Sequence, residues 1–290
     1  MPGATITVGN VEITAIHDNE GALPLAMVFP GVDAELWVPY QEKYPECFKG
    51  DNNEIIAAHF DCYIIRSEGR TILVDTGAGS MATNPGTVTA FAGGVDGRLL
   101  LDLQEAGVNK DDIDTVFFTH LHPDHVGWNV NNDGPSPVPA FPNAKYVFHQ
   151  DDWEAFRPPR DSEVFGFSFW EETLAPLEAA GVTEPLSGEQ AITSDITAIL
   201  TPGHTPGSMS LAIDSGGQKA LVMGDVFHGP AQVSEPSWVF AFDADPDTAV
   251  QSRNRMLDRA EAENAIMAMC HITGFGRIIL QEGRRYWQGL

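Results

Sequence analysis

Three histidines and an aspartate crowd into six residues of this chain, His120-Leu121-His122-Pro123-Asp124-His125, directly after the apolar run TVFFT at 115–119. A short run of β-forming apolar residues reads as a buried strand. Polar loops rarely concentrate three imidazoles and a carboxylate at a strand end. His120 and His122 are two apart, so in an extended segment they point the same way and can share one metal ion. Asp124 and His125 follow Pro123, where the chain can turn toward a second ion. Neutral imidazole and carboxylate suit Zn²⁺, Fe²⁺, Mn²⁺ or Co²⁺. A fold that uses this hexapeptide must bring further ligands to the same strand end.

Three distant positions repeat the same grammar of an apolar β run, a small residue or turn, and then a ligand type. His204 lies in TPGHTPG (201–207) after the run 196–200. Asp225 follows 220–223 through Gly224, and His271 follows 266–270. In open α/β sheets, strand ends are where ligands bind. The strand runs fall into two sets. The first holds 5–8 and 11–16 around a Gly9-Asn10 turn, then 62–66, 71–74, 115–119 and 145–148. The second holds 196–200, 209–213, 220–223 and 266–270, with a tail hairpin in 277–287 turning at Glu282-Gly283. Helical spacing covers 99–106, 171–180 and 246–262, the last capped by Asp243 or Asp245. Two strand sets with helices interposed predict a layered α/β fold of two similar halves. No linker divides the chain, so 1–290 reads as one domain. Residues 18–58 read as an irregular N-terminal insertion that covers the site or forms a homodimer contact.

Charge removes several function classes. With 41 acidic and 16 basic residues the formal net charge is −25. Phosphate backbones and anionic membrane surfaces are repelled, so neither nucleic acid nor a membrane is an expected partner. A hydrophobic content of 43% excludes disorder despite that charge. Cys47, Cys62 and Cys270 are few, odd in number and without CxxC spacing, which predicts free thiols in a reducing compartment. No leader is expected at residues 1–8 and no run reaches membrane-span length, so the expected location is cytoplasmic.

The ordered set His120, His122, Asp124, His125, His204, Asp225 and His271 resembles the five-motif signature of the metallo-β-lactamase superfamily. Asp75, in Val74-Asp75-Thr76-Gly77, is similar to its first motif, and the likeness spans roughly residues 60–276. The resemblance implies a four-layer αβ/βα sandwich with a dinuclear site at one edge of the two sheets. It implies that His120, His122 and His204 hold the first of two divalent ions, Zn above Fe, Mn or Co. Asp124, His125 and His271 hold the second, Asp225 bridges both, and Asp75 positions the ligand loop from behind.

Within the superfamily, Asp225 stands where true β-lactamases use Cys or another ligand. His122 stands where the flavodiiron branch has Glu. The charge argues against the nuclease branches, and scarce Lys and Arg argue against a glutathione thioester. What remains resembles the methyl parathion hydrolase and quorum-quenching lactonase branch. Those lactonases often carry Tyr three residues after the bridging Asp. This chain has His228 there, more like methyl parathion hydrolase, and His228 takes the place of the Tyr as hydrogen-bond or proton donor. The implied activity is hydrolysis of a small, neutral, apolar ester or lactone by a metal-bridging hydroxide. Asp225 orients the hydroxide and Asp124 accepts a proton in transit. A phosphotriester or aryl ester is the alternative. A mononuclear iron persulfide dioxygenase and a non-catalytic metal scaffold are lesser readings. Trp128, Phe29, Trp37, Phe165, Phe167, Phe169 and Trp170 are candidate walls of an apolar cavity. His149 reads as structural, and Cys270 as a small buried side chain.

Overall fold

The computed structural model describes residues 3–158 and 165–290, so Met1 and Pro2 of the leader reading lie outside them. Among the described residues, Thr5–Val8, Val11–Pro24, Ile55–Ser67, Arg70–Val74, Thr115–Phe117, Lys145–His149 and Thr183–Leu186 lie side by side in chain order, with Phe48–Lys49 paired to Ile55–Ser67. The first pairings are antiparallel. From Arg70–Val74 onward they are parallel; helix Leu99–Glu105 lies in the first of these crossover connections and Gln150–Phe156 in the last. The second sheet runs Gln190–Ala191, Ile196–Leu200, Met209–Ser215, Gln218–Met223, Ile266–Met269, Ile272–Gln281 and Arg284–Gly289. Its single parallel step, between Gln218–Met223 and Ile266–Met269, is spanned by the 18-residue helix Pro246–Glu263.

Three apolar clusters define the layers. Between the sheets, Ile13, Tyr63, Ile65, Val74 and Phe117 meet Leu211, Ile213, Val222, Ala268 and Phe275. On the outer face of the first sheet, Leu73, Val116 and Phe148 pack under Leu99, Leu103, Trp153 and Leu177 of the helices. On the outer face of the second, Leu221, Met223 and Met267 pack under Met256, Leu257 and Ala260. The order is therefore helices, sheet, sheet, helices: the expected four-layer αβ/βα sandwich.

Residues 18–58 depart from the expectation of an irregular segment. The strand Val11–Pro24 continues far past residue 16, paired with Ile55–Ser67 through Leu23↔Ile56 and Pro24↔Ile55. A register shift between His17 and Asn19 breaks the alternation that would have marked it. Helix Ala34–Lys43 follows, with Pro39 inside it. Phe29 and Trp37 stack edge-to-face at 5.0 Å and join the cluster over the second sheet, so they are core and not cavity wall. The helix predicted over 171–180 is two short ones, Trp170–Thr173 and Ala175–Ala180, since Pro176 starts a new first turn. Helix Pro246–Glu263 is capped by Asp245, whose carboxylate accepts the Thr248 N–H at 3.1 Å; Asp243 is engaged elsewhere. Among the described residues, no helix is long and apolar enough to cross a membrane.

Candidate metal centre

The strand Arg70–Val74 ends at Asp75, Thr115–Phe117 runs toward His120, and Ile196–Leu200 toward His204. Gln218–Met223 leads through Gly224 to Asp225, and Ile266–Met269 leads to His271. These ends meet along one edge where the sheets approach. The Met209 N–H donates to Thr119 O at 2.7 Å and the Asp61 N–H to Cys270 O at 3.0 Å, tying the two sheets together beside the ligand loops. Gly224 is required there, because a Cβ would sit 2.3 Å from Thr119 Oγ1.

Asp225 is the hub. Its Oδ2 lies 3.2 Å from His204 Nε2, 3.0 Å from His271 Nε2 and 3.7 Å from His120 Nε2, and its Oδ1 lies 3.2 Å from His125 Nε2. His122 turns its Nδ1 inward, 2.8 Å from His204 Nε2. Asp124 Oδ2 stands 3.7 Å from His125 Nε2 and 3.8 Å from His271 Nε2. All seven sequence-predicted ligand types are thus brought together.

The residues behind them orient the rings. The far nitrogens of His125, His204 and His271 donate to Asp75 Oδ2 (2.9 Å), Asp243 Oδ1 (3.0 Å) and the His59 carbonyl (2.7 Å). The Thr119 hydroxyl donates to Asp75 at 2.8 Å, which leaves its oxygen to accept from His120 Nδ1 at 3.2 Å. These contacts fix the ring orientations and turn the inner nitrogens toward a common space. Asp75 adopts a left-handed φ of 58° to do this, accepting from Thr119 N at 2.8 Å as well.

Sequence reasoning missed several supports. Asp152 clamps the two histidine loops together: it accepts from Leu121 N (3.0 Å), Thr205 Oγ1 (2.9 Å) and Gly207 N (2.6 Å). Asp18 accepts from Ala78 N, Leu99 N and Trp128 Nε1. Burial pushes both carboxyls up to about 6. Arg253, fully buried, donates to the carbonyls of Val226, Pro236 and Trp238 and lies 3.6 Å from Asp243 Oδ2. Asp18 lies within the strand Val11–Pro24, and Asp152 and Arg253 within helices, with no motif around them, so the chain carries no local signal for them.

The donor set fits divalent cations. The ligand atoms of His120, His122, His204 and Asp225 lie within 4.8 Å of one another, as do those of His125, Asp225, Cys270 and His271. His120 Nε2 and Asp225 Oδ1 are buried without a hydrogen-bond partner. Orphaned buried acceptors cost about 1–3 kcal/mol each, and a cation between them removes that cost. Burial holds His120 and His122 well below the ordinary imidazole range, hence neutral. Burial also lowers His204, but Asp225 and Asp243 outweigh it and raise the ring to about 9. Burial alone would raise Asp225, yet His271, His125 and His120 hold it well below the usual carboxylate range.

His228 faces the same space. Its ring stacks on Phe240 with centroids 3.5 Å apart and 9° between planes, and its Nε2 lies 3.2 Å from Asp225 Oδ2. Burial depresses it to about 3, so it is neutral at physiological pH. Above the cluster opens a pocket walled by Leu23, Ile56, Phe60, Phe91, Phe165 and Phe242, with no Lys or Arg among the described residues of its lining. Of the other candidate walls, Phe167 packs beside Phe91 and Phe165. Phe169 and Trp170 join the core under the first sheet's helices, and Trp128 is tied to Asp18. His149 caps helix Gln150–Phe156 through Nδ1, a structural role as expected.

Comparison with known proteins agrees with this arrangement. The metallo-beta-lactamase superfamily signature matches residues 61–271. The chain is 25% identical over 219 residues to an N-acyl homoserine lactonase of Bacillus thuringiensis, covering 72% of this chain and 80% of that protein. It is 27% identical over 245 residues to the uncharacterized protein YobT of Bacillus subtilis (strain 168), covering 79% and 88%. Among solved structures, AidC, a dizinc quorum-quenching lactonase, superimposes with TM-score 0.81 at 23% identity, covering 100% of this chain and 98% of that one. The hydrolase AbOPH gives 0.80 at 22%, covering 99% and 96%. With the signature spanning most of its length and the ligand types gathered at one sheet edge, this chain belongs to the metallo-β-lactamase superfamily of metal-dependent hydrolases.

Proposed function

We propose that the chain is a dinuclear metallohydrolase acting on a small, neutral, apolar ester or lactone. The observation that carries this reading is the pairing of a buried His/Asp ligand cluster with an aromatic pocket whose described lining holds no Lys or Arg to bind an anion. His120, His122 and His204 would hold one ion and Asp124, His125 and His271 the other, with Asp225 between them. Zinc suits this donor set. Bound there, two such ions would supply a nucleophilic hydroxide at neutral pH and Lewis-acid polarisation of a carbonyl.

The chain's own residues supply the rest. The phenylalanine walls exclude water and seat an acyl or aryl group. Residues 18–58 contribute Leu23, Ile56 and Ala58 to that wall, which supports a covering role for the segment. His228, neutral and held flat by Phe240, donates a hydrogen bond from Nε2 to the substrate's carbonyl or leaving oxygen. Asp124, at the pocket edge, accepts a proton in transit. Three free cysteines support a reducing, cytoplasmic setting.

A second reading, hydrolysis of aryl esters or phosphotriesters, is favoured by the facing rings of Phe165 and Phe242, which are 6.0 Å apart at 28° and suit a flat group. The test is turnover by metal-loaded protein on lactones, aryl esters and phosphotriesters, each beside a carboxylate-bearing analogue. Neutral substrates are expected to turn over and their anionic analogues to fail. With two ions bound, inactivity on every neutral class, or a preference for the anions, overturns the proposal.

A further inference from the structure

The family pattern completes the second metal position with Asp124, but the structure brings another donor to the same point. Sγ of Cys270, Nε2 of His125 and His271 and the carboxylate of Asp225 form one group with every ligand atom within 4.8 Å of the others. Cys270 Sγ is 4.0 Å from His125 Nε2. Nitrogen and sulfur donors on one tetrahedral zinc ion sit about 3.6 Å apart, from bond lengths near 2.0–2.1 and 2.3 Å. The pair therefore stands close to ligand spacing.

Independent features point to the same place. Asp225 Oδ1, 3.2 Å from His125 Nε2, is buried with no hydrogen-bond partner. The pairing of Ile266–Met269 with Ile272–Gln281 shifts register between Ala268 and Met269, just before the cysteine. The Cys270 backbone is then held on both sides: its N–H donates to Met223 O at 3.3 Å and its carbonyl accepts from Asp61 N at 3.0 Å. Both anchors are strand backbone, so the Cys270 backbone is fixed beside the cluster. Asp124 lines the open pocket, whereas Cys270 is 3% exposed and absent from that lining.

We propose that Cys270 is a sulfur ligand of the second metal position, bound from the buried side while Asp124 serves it from the pocket side. The proposal rests on the dinuclear reading and refines its donor set. The bond that forms is sulfur to metal, the bond that breaks is S–H, and the proton leaves to solvent. A soft donor biases the position toward zinc or cobalt and away from manganese.

The test is to load metal-free protein with Co²⁺ and record the near-ultraviolet spectrum together with cobalt per chain. A sulfur-to-cobalt charge-transfer band is expected. It should vanish in Cys270→Ser and persist in Cys47→Ser and Cys62→Ser. Two cobalt ions bound without the band, or a band that survives Cys270→Ser, overturns the proposal and leaves the dinuclear reading standing. Fewer than two ions in the unaltered protein overturns both. Because Cys270→Ser can fail to fold, X-ray absorption on the zinc-loaded unaltered chain gives a second readout. A zinc–sulfur shell near about 2.3 Å supports the assignment, and nitrogen and oxygen scatterers alone refute it.

Discussion

His228 separates binding from chemistry at the level of a single side chain. It touches Asp225 and stacks on Phe240, while the proposed ligand roles fall to His204 and His271. His228→Phe keeps the stack and removes the donor. We expect kcat to fall by about a hundred-fold while metal analysis still finds two ions per chain; loss of an ion would instead make it a ligand. A second residue-level prediction concerns His17, whose Nδ1 lies 2.7 Å from Asp61 Oδ1. The hydrogen bond to Asp61 raises His17 above 6.5 against the opposing effect of burial. A raised histidine pKa means the pair stabilises the fold fully below pH 6.5 and loses that contribution as pH climbs through the folded value. An NMR titration of His17 should show the elevation, and Asp61→Asn should abolish it.

The ligand loops are short pieces between strands, and their mutual positions come from buried polar clamps. Asp152 ties the loop of His120 and His122 to that of His204. Arg253, on helix Pro246–Glu263, ties that helix to the 226–238 stretch beside His228 and faces Asp243 behind His204. Gly203, with a φ of 129°, lets the His204 loop touch the start of the same helix, where a Cβ would lie 2.1 Å from Ala249 N. Removing one partner of a buried ion pair costs about 3–5 kcal/mol, because the other charge stays buried. Arg253→Met should therefore lower the unfolding free energy by about that much in a denaturant titration. A loss below about 1 kcal/mol would show that the guanidinium is not holding the loop.

Across the molecule, two sheets each present strand ends at one edge, and neither alone holds a complete set. His120, His122, Asp124 and His125 come from the first half, and His204, Asp225 and His271 from the second. On the proposed reading, ions bound across that divide would hold the halves together and couple metal binding to folding. Chelation is expected to lower Tm, and restoring metal to a hundred times its Kd should return about 2.7 kcal/mol, read by calorimetry. A Tm indifferent to chelator would mean the ions do not bridge the sheets.

The HxHxDH cluster, the three later strand-end ligands and the two-set rhythm of strands were legible in the chain, because metal chemistry demands rare residue types and sheets demand periodic ones. Residues 18–58 were not, since a register shift at His17 hid a continuous strand whose partner lies some forty residues away. Nor was the sorting of aromatics: Phe29 and Trp37 went to the core and Phe165 and Phe242 to the pocket, though all are the same kind of side chain. The sequence by itself determined which donors exist and in what order. Only the tertiary structure decided which atoms converge, which carboxylates stand behind them and that Cys270 joins them, because those relations depend on packing between segments far apart in the chain.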